Sequence, residues 1–198
     1  MYSRRQLCKI TAQLSKLYDC PKLQEKYWNA IRVRDTETLD FFAKFGSDVR
    51  HQVMNANTYN HGLLFGFKAF TFDEHGWLQH QEWNKEEVIE FRTPKDKAIS
   101  NEIRLAEGLN RKWTYSISYH FGGAGGGSNP SVFDRPYSTR EEALAHAIEK
   151  FIGEFEHAFK RNEEFPDPTN FKIPYMRAVL KLIEDLKRKT HSYQTSLF

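Results

Sequence analysis

The chain has 198 residues, of which 39% are hydrophobic and 15% aromatic, and its 29 basic and 26 acidic side chains leave a formal charge of +3. That length holds one domain or two small ones with a proper core, and so balanced a charge does not by itself imply nucleic-acid binding. Met1-Tyr2-Ser3-Arg4-Arg5-Gln6 has no apolar run behind it and no stretch reaches bilayer length, so a soluble, cytoplasmic protein without a membrane partner is expected.

Residues 3 to 18 predict a helix, because Leu7, Ile10, Leu14, Leu17 and Tyr18 recur at steps of three and four. Cys8 and Cys20 fit neither a disulfide framework nor a zinc site, and a reduced state is expected. Pro21 suits the first position of a second helix carrying Leu23, Tyr27, Ala30 and Ile31. Asp35 or Thr36 caps a third, with Leu39, Phe42, Phe45, Val49 and Val53 inward and Gly46 weakening its middle. Asn55 to Gly62 reads as turns.

The period then changes. Leu63 to Phe72 and Trp77 to Trp83 read as strands joined by the turn Asp73-Glu74-His75-Gly76, and Glu86 to Phe91 as a further short strand. Pro94 to Asn110 allows a helix through Ile99, Ile103 and Ala106. Trp113, Tyr115, Ile117, Tyr119 and Phe121 alternate with Thr114, Ser116, Ser118 and His120, predicting a strand buried on one face only. After the glycine run Gly122 to Ser128, Val132 and Phe133 begin its expected partner strand. Ser138-Thr139-Arg140-Glu141 is a capping box with Ser138 as cap. The helix behind it bears Leu144, Ala147, Ile148, Phe151, Ile152, Phe155 and Phe159, a stripe suited to lie on the sheet. Pro166-Asp167-Pro168 reads as a hinge before a last helix near Pro174 to Lys189.

No internal repeat is visible. The order of elements predicts an α+β fold: N-terminal helices, a central antiparallel sheet of about four to five strands, and C-terminal helices packed on it. The expected organisation is a single domain over 1–189, helical to 60 and sheet plus helices from 61, followed by a peptide tail over 190–198.

The tail is the most informative segment for function. Gln194-Thr195-Ser196-Leu197-Phe198 combines one polar hook with two apolar anchors, behind the polar, basic spacer Lys187-Arg188-Lys189-Thr190-His191-Ser192-Tyr193. It resembles the peptide by which bacterial polymerases and repair proteins bind the sliding clamp, Gln-x-(Ser/Asp)-Leu-Phe. The resemblance covers these five residues alone. It implies that Leu197 and Phe198 fill an apolar pocket of the clamp, that Gln194 fixes register at the rim, and that Ser196 lets the backbone lie close. Thr195 departs from the Leu usual at the second position, which removes apolar contact. The eukaryotic form needs two adjacent aromatics further on, so a bacterial, phage or plasmid setting is implied. The function expected is that of a non-enzymatic accessory protein of DNA replication or repair.

Competing constellations are weaker. The glycine run lacks the Lys-Ser or Lys-Thr and the immediate helix of a P-loop and reads as a mobile hairpin loop. His75 and His80, near Glu74 and Glu82, would converge only across a hairpin, and no Cys or Asp joins them at ligand spacing. They motivate an alternative, a metal- or phosphate-dependent enzyme acting on nucleic acid. Asp185-Leu186-Lys187 has nuclease-like residue types, but helical period would send the acid and the Lys apart. Trp113, Tyr115 and Tyr119 suit core packing rather than base stacking. No cofactor, metal or catalytic residue is indicated. Arg4, Arg5, Arg161, Lys187, Arg188 and Lys189, with Arg32 and Arg34, lie near element ends and are candidates for phosphate contact with DNA. A third reading is a self-associating structural protein. Oligomeric state is not legible.

Overall fold

A computed structural model describes residues 4–15, 20–94 and 100–195. Its elements fall into two units, Met1–Glu82 and Trp83–Phe198, and the architecture is α+β.

The first unit holds helices α1 (Arg4–Leu14), α2 (Pro21–Val33), α3 (Thr36–Ala43) and α4 (Val49–Leu63), then a small hairpin, β1 (Thr71–Phe72) and β2 (Leu78–Gln79). Pro21 opens α2, and Arg34 closes it in the left-handed conformation (φ 58°), its N–H donating to the carbonyl of Ala30. Asp35 caps α3 by accepting from the Thr38 N–H at 3.0 Å. The sequence predicts one helix from there to Val53, but the chain breaks at Gly46. Its φ is +145°, and a Cβ there would stand 2.6 Å from that of His51. Asp48 restarts the helix, accepting from the N–H groups of Arg50 and His51.

Helix α4 runs straight through the expected turns at 55–62. The reason is Asn55. Instead of competing for its own backbone, its buried amide donates to the carbonyls of Phe45 and Gly76 and accepts from Leu78 N–H. Ile10, Tyr27, Ile31, Phe42, Phe45 and Val53 form the core of this unit, and Tyr27 meets Phe42 edge-on at 5.0 Å. A fully buried phenylalanine contributes about 2–3 kcal/mol. The hairpin turn lies where expected: Asp73 accepts from the N–H groups of His75 and Trp77, and Gly76 takes φ +81°. The strands are much shorter than predicted. The side chain of Gln81 takes the N–H groups of Lys68 and Ala69, at 2.9 and 3.2 Å, where a longer strand would have paired them.

The second unit contains a sheet of order β3-β4-β5-β6, antiparallel throughout: β3 (Lys85–Phe91), β4 (Asn101–Glu107), β5 (Trp113–His120) and β6 (Gly125–Gly127). Residues 101–107 are strand, not helix. Ile89, Ile103 and Ile117 stand in register across three strands, with Leu105 opposite Tyr115. Helix α5 (Arg140–Glu164) lies on β4 and β5, and α6 (Ile173–Thr195) packs on α5 and β3. Trp113, Tyr115, Ile117 and Tyr119 face this core beneath α5, together with Phe151, Phe155, Met176 and Ile183.

Four expectations in this unit need correction. Strand β5 is not open on its second face: Thr114, opposite Ala106, and Ser116, opposite Arg104, are both buried. Val132 and Phe133 are not the partner strand; the glycine run is. The capping box sits one residue later, with Thr139 accepting from Glu142 N–H and the Glu142 carboxylate accepting from Ser138 N–H. The Pro166-Asp167-Pro168 segment is a fixed turn, because Asp167 accepts from the N–H groups of Thr169 and Asn170 and from the Asn170 amide. Those four bonds, counting the backbone link from Phe171 N–H to the Asp167 carbonyl, hold the entry to α6. None of the described helices is long and apolar enough to cross a membrane.

Candidate functional site

The C-terminal peptide begins on α6. Met176, Val179 and Ile183 bury one face of that helix, and Leu186 is the last of its described side chains packed on the core. With no glycine or proline to stop it, the helical backbone continues past the expected end at Lys189 to Thr195, so Gln194 belongs to its last turn. Ser196, Leu197 and Phe198 lie outside the described residues.

The neighbouring basic cluster is partly neutralised. Lys187 Nζ is 2.5 Å from the Glu149 carboxylate of α5, and Arg188 pairs with Asp185 one turn back. Asp185 and Lys187, the nuclease-like pair, therefore face different partners. Arg161 lies in the last turn of α5, where it helps hold the Asp167 carboxyl below its ordinary range, behind the larger effect of the Asn170 hydrogen bonds. Arg5 is exposed on α1, in the other unit, with Arg4 at the start of that helix.

The residues of the enzymatic alternative do not converge. The His75 side chain is 74% exposed, beside the still more open Glu74, while its backbone carbonyl meets the His51 ring at 3.1 Å. His80 is exposed and lies flat against Phe67, 6.2 Å between rings, and Glu82 points to solvent. Among the described residues no group of three His, Cys, Asp or Glu side chains could hold a metal. The glycine run is likewise no phosphate cradle. A Cβ on Gly125 would fall 2.3 Å from the Tyr119 carbonyl, on Gly126 2.9 Å from the Tyr119 hydroxyl, and on Gly123 2.2 Å from the Thr169 carbonyl. The glycines are there because backbone and ring approach too closely for any side chain.

A cluster that sequence reasoning missed gathers Tyr115, Tyr137, Asp134 and His146. Burial, then the neighbouring Tyr137, pushes the Tyr115 hydroxyl up to about 12. Burial also raises the Asp134 carboxyl, against the opposing hydrogen bond from Ser131 N–H at 2.7 Å. The His146 ring lies 4.9 Å from that of Tyr137, tilted by 34°. A tyrosine whose proton is held this tightly is a poor acid near neutral pH, and the Tyr137–His146 contact joins residue 137 to α5.

Two cavities complete the picture. One, of about 750 Å³, is an apolar recess at the start of α6 between Pro94, Pro168, Phe171 and Ile173. Tyr175 in its wall accepts from the Asn101 amide at 2.5 Å, and Asn101 in turn accepts from His120 N–H. The other, of about 430 Å³, lies wholly in the helical unit. Leu7, Trp28, Ile31 and Leu39 make its wall, and Arg32, Arg34 and Thr36 its mouth. Trp28 escaped notice in sequence, yet its spacing of four from Arg32 already put indole and guanidinium on one face of α2.

No family model, curated protein or solved structure matches this chain.

Proposed function

We propose that this protein is a non-enzymatic accessory factor of bacterial or mobile-element DNA replication or repair, acting in the cytoplasm and docking on the sliding clamp through Gln194 to Phe198. One observation carries the reading: a Gln-x-Ser-Leu-Phe peptide begins in the last turn of a helix whose described core anchorage ends at Leu186.

The chemistry is that of a short anchor peptide. Leu197 and Phe198 enter an apolar hollow of the clamp and supply most of the affinity. The Gln194 amide donates and accepts at the rim and sets the register. Helix ends open at little cost, so the last turn of α6 can give up its helical form to let Gln194 and Leu197 reach the same groove. Ordering the segment on binding costs entropy, which keeps the complex weak and exchangeable.

The test is a titration of purified clamp with the intact chain and with a chain lacking residues 194–198, followed by calorimetry. The intact chain is expected to bind with a dissociation constant on the order of micromolar, and the truncated chain not at all. Equal affinity for the two, or no binding by either, removes the proposal.

A further inference from the structure

The Trp28 cavity of the helical unit has a composition that selects its occupant. Its wall is apolar and contains one indole, Trp28, half-buried and so still presenting surface. Among the described residues its only charged lining residues are Arg32 and Arg34, both exposed. Among the described residues neither guanidinium has an ion-pair or hydrogen-bond partner. The nearest acid in sequence, Asp35, is turned away, with both carboxylate oxygens engaged by Thr38. Thr36, the first residue of α3, completes the lining.

Arg34 adds an independent observation. It is one of two non-glycine residues with positive φ among those described, at the position closing α2. Backbone energetics call for glycine there. The chain instead holds a long cation at the cavity mouth.

We propose that this cavity binds single-stranded nucleic acid, with an unpaired base against Trp28 and the adjoining phosphates on Arg32 and Arg34. Its volume of about 430 Å³ lies within the range of small-ligand sites. An indole offers a stacking surface that any base can use, and a guanidinium matches phosphate oxygens in a two-pronged fork. The walls are helices whose backbone groups are bonded internally, so there is no main-chain ladder for an extended acidic peptide. This site is separate from the C-terminal peptide and does not depend on the clamp reading.

The experiment is fluorescence anisotropy of a labelled oligothymidylate of about 15 nucleotides, titrated with the full-length chain at several salt concentrations. Arg34→Gly is the decisive variant, because it suits the left-handed backbone and keeps or raises the melting temperature. It is expected to weaken binding roughly three- to tenfold and to lower the salt slope by about 0.7; Arg32→Gln should do the same. Trp28→Leu should cost about tenfold or more. Deleting residues 194–198 should leave this binding unchanged, which separates it from clamp docking. The proposal is overturned if the wild-type chain does not bind the oligonucleotide, if a folded Arg34→Gly variant binds as well as wild type, or if polyglutamate of equal charge competes as effectively as unlabelled oligonucleotide.

Discussion

Asn55 accepts the backbone N–H of Leu78 at 2.9 Å while its own amide nitrogen donates to the carbonyls of Phe45 and Gly76, both at 2.8 Å. One side chain, 1% exposed, thus joins the α3–α4 turn, the middle of α4 and the hairpin. Replacing it by leucine, similar in volume, strands one buried and two part-buried backbone groups. The expected loss is about 2–4 kcal/mol of stability, read as a lower urea midpoint. A loss below about 0.5 kcal/mol, at the level of an ordinary surface substitution, would show that the three bonds are not made.

Glu87 predicts a pH dependence. The hydrogen bond from Arg140 at 2.7 Å holds its carboxyl below the ordinary value of 4.5, with Lys85 adding to the effect. A depressed folded-state value means that the carboxylate stabilises the fold above the unfolded value. That contribution is fully present at pH 7 and disappears as pH falls through the lower, folded value. Glu87→Gln should therefore be less stable than wild type at pH 7, by about 1 kcal/mol or less for so partly exposed a pair. The difference should close in acid, once the folded-state carboxyl is protonated. An equal gap at pH 7 and in acid, measured by chemical denaturation, would contradict this.

Two glycines should answer alanine in opposite ways. Gly153 sits inside α5, and a methyl group added there would meet nothing within 4 Å, so Gly153→Ala should stabilise by about 0.5–1 kcal/mol. Gly125→Ala drives a methyl into the Tyr119 carbonyl and should cost about 2–3 kcal/mol. Thermal melts of the two variants should move to either side of wild type.

Much of this fold was legible because periodicity reports a face. The stripe Leu144, Ala147, Ile148, Phe151 and Phe155 predicted α5 on the sheet, and that is where it lies. The strand at 101–107 was not legible, since Ile103 and Ala106 fit helical spacing and only pairing with Ile89 and Ile117 decides between the two. Helix α4 was hidden because Asn55 looks like a turn former until its three distant partners are known. Gly125 to Gly127 looked like a loop because steric exclusion by Tyr119 leaves no trace in hydropathy. The Gln-x-Ser-Leu-Phe string at 194–198 was visible in the sequence as such. The Trp28 cavity was not, because Leu7 and Leu39 come to it from other helices.

For the C-terminal peptide a ranking is expected. Phe198→Ala and Leu197→Ala should each weaken clamp binding at least tenfold, and Gln194→Ala less, as anchors outweigh a rim contact. Thr195→Leu should tighten it, since an apolar residue then occupies the second position. Competition by the free pentapeptide in the same assay gives the order directly.

The glycine strand has a consequence for the gene. At Gly123, Gly125, Gly126 and Gly127 a replacement side chain meets neighbouring atoms within 3 Å. A missense change in those codons would strike the folding of the sheet and not any encounter with a partner. In a library of random variants this short tract should therefore stand out as a silent zone, kept nearly free of drift by the crowding beneath it.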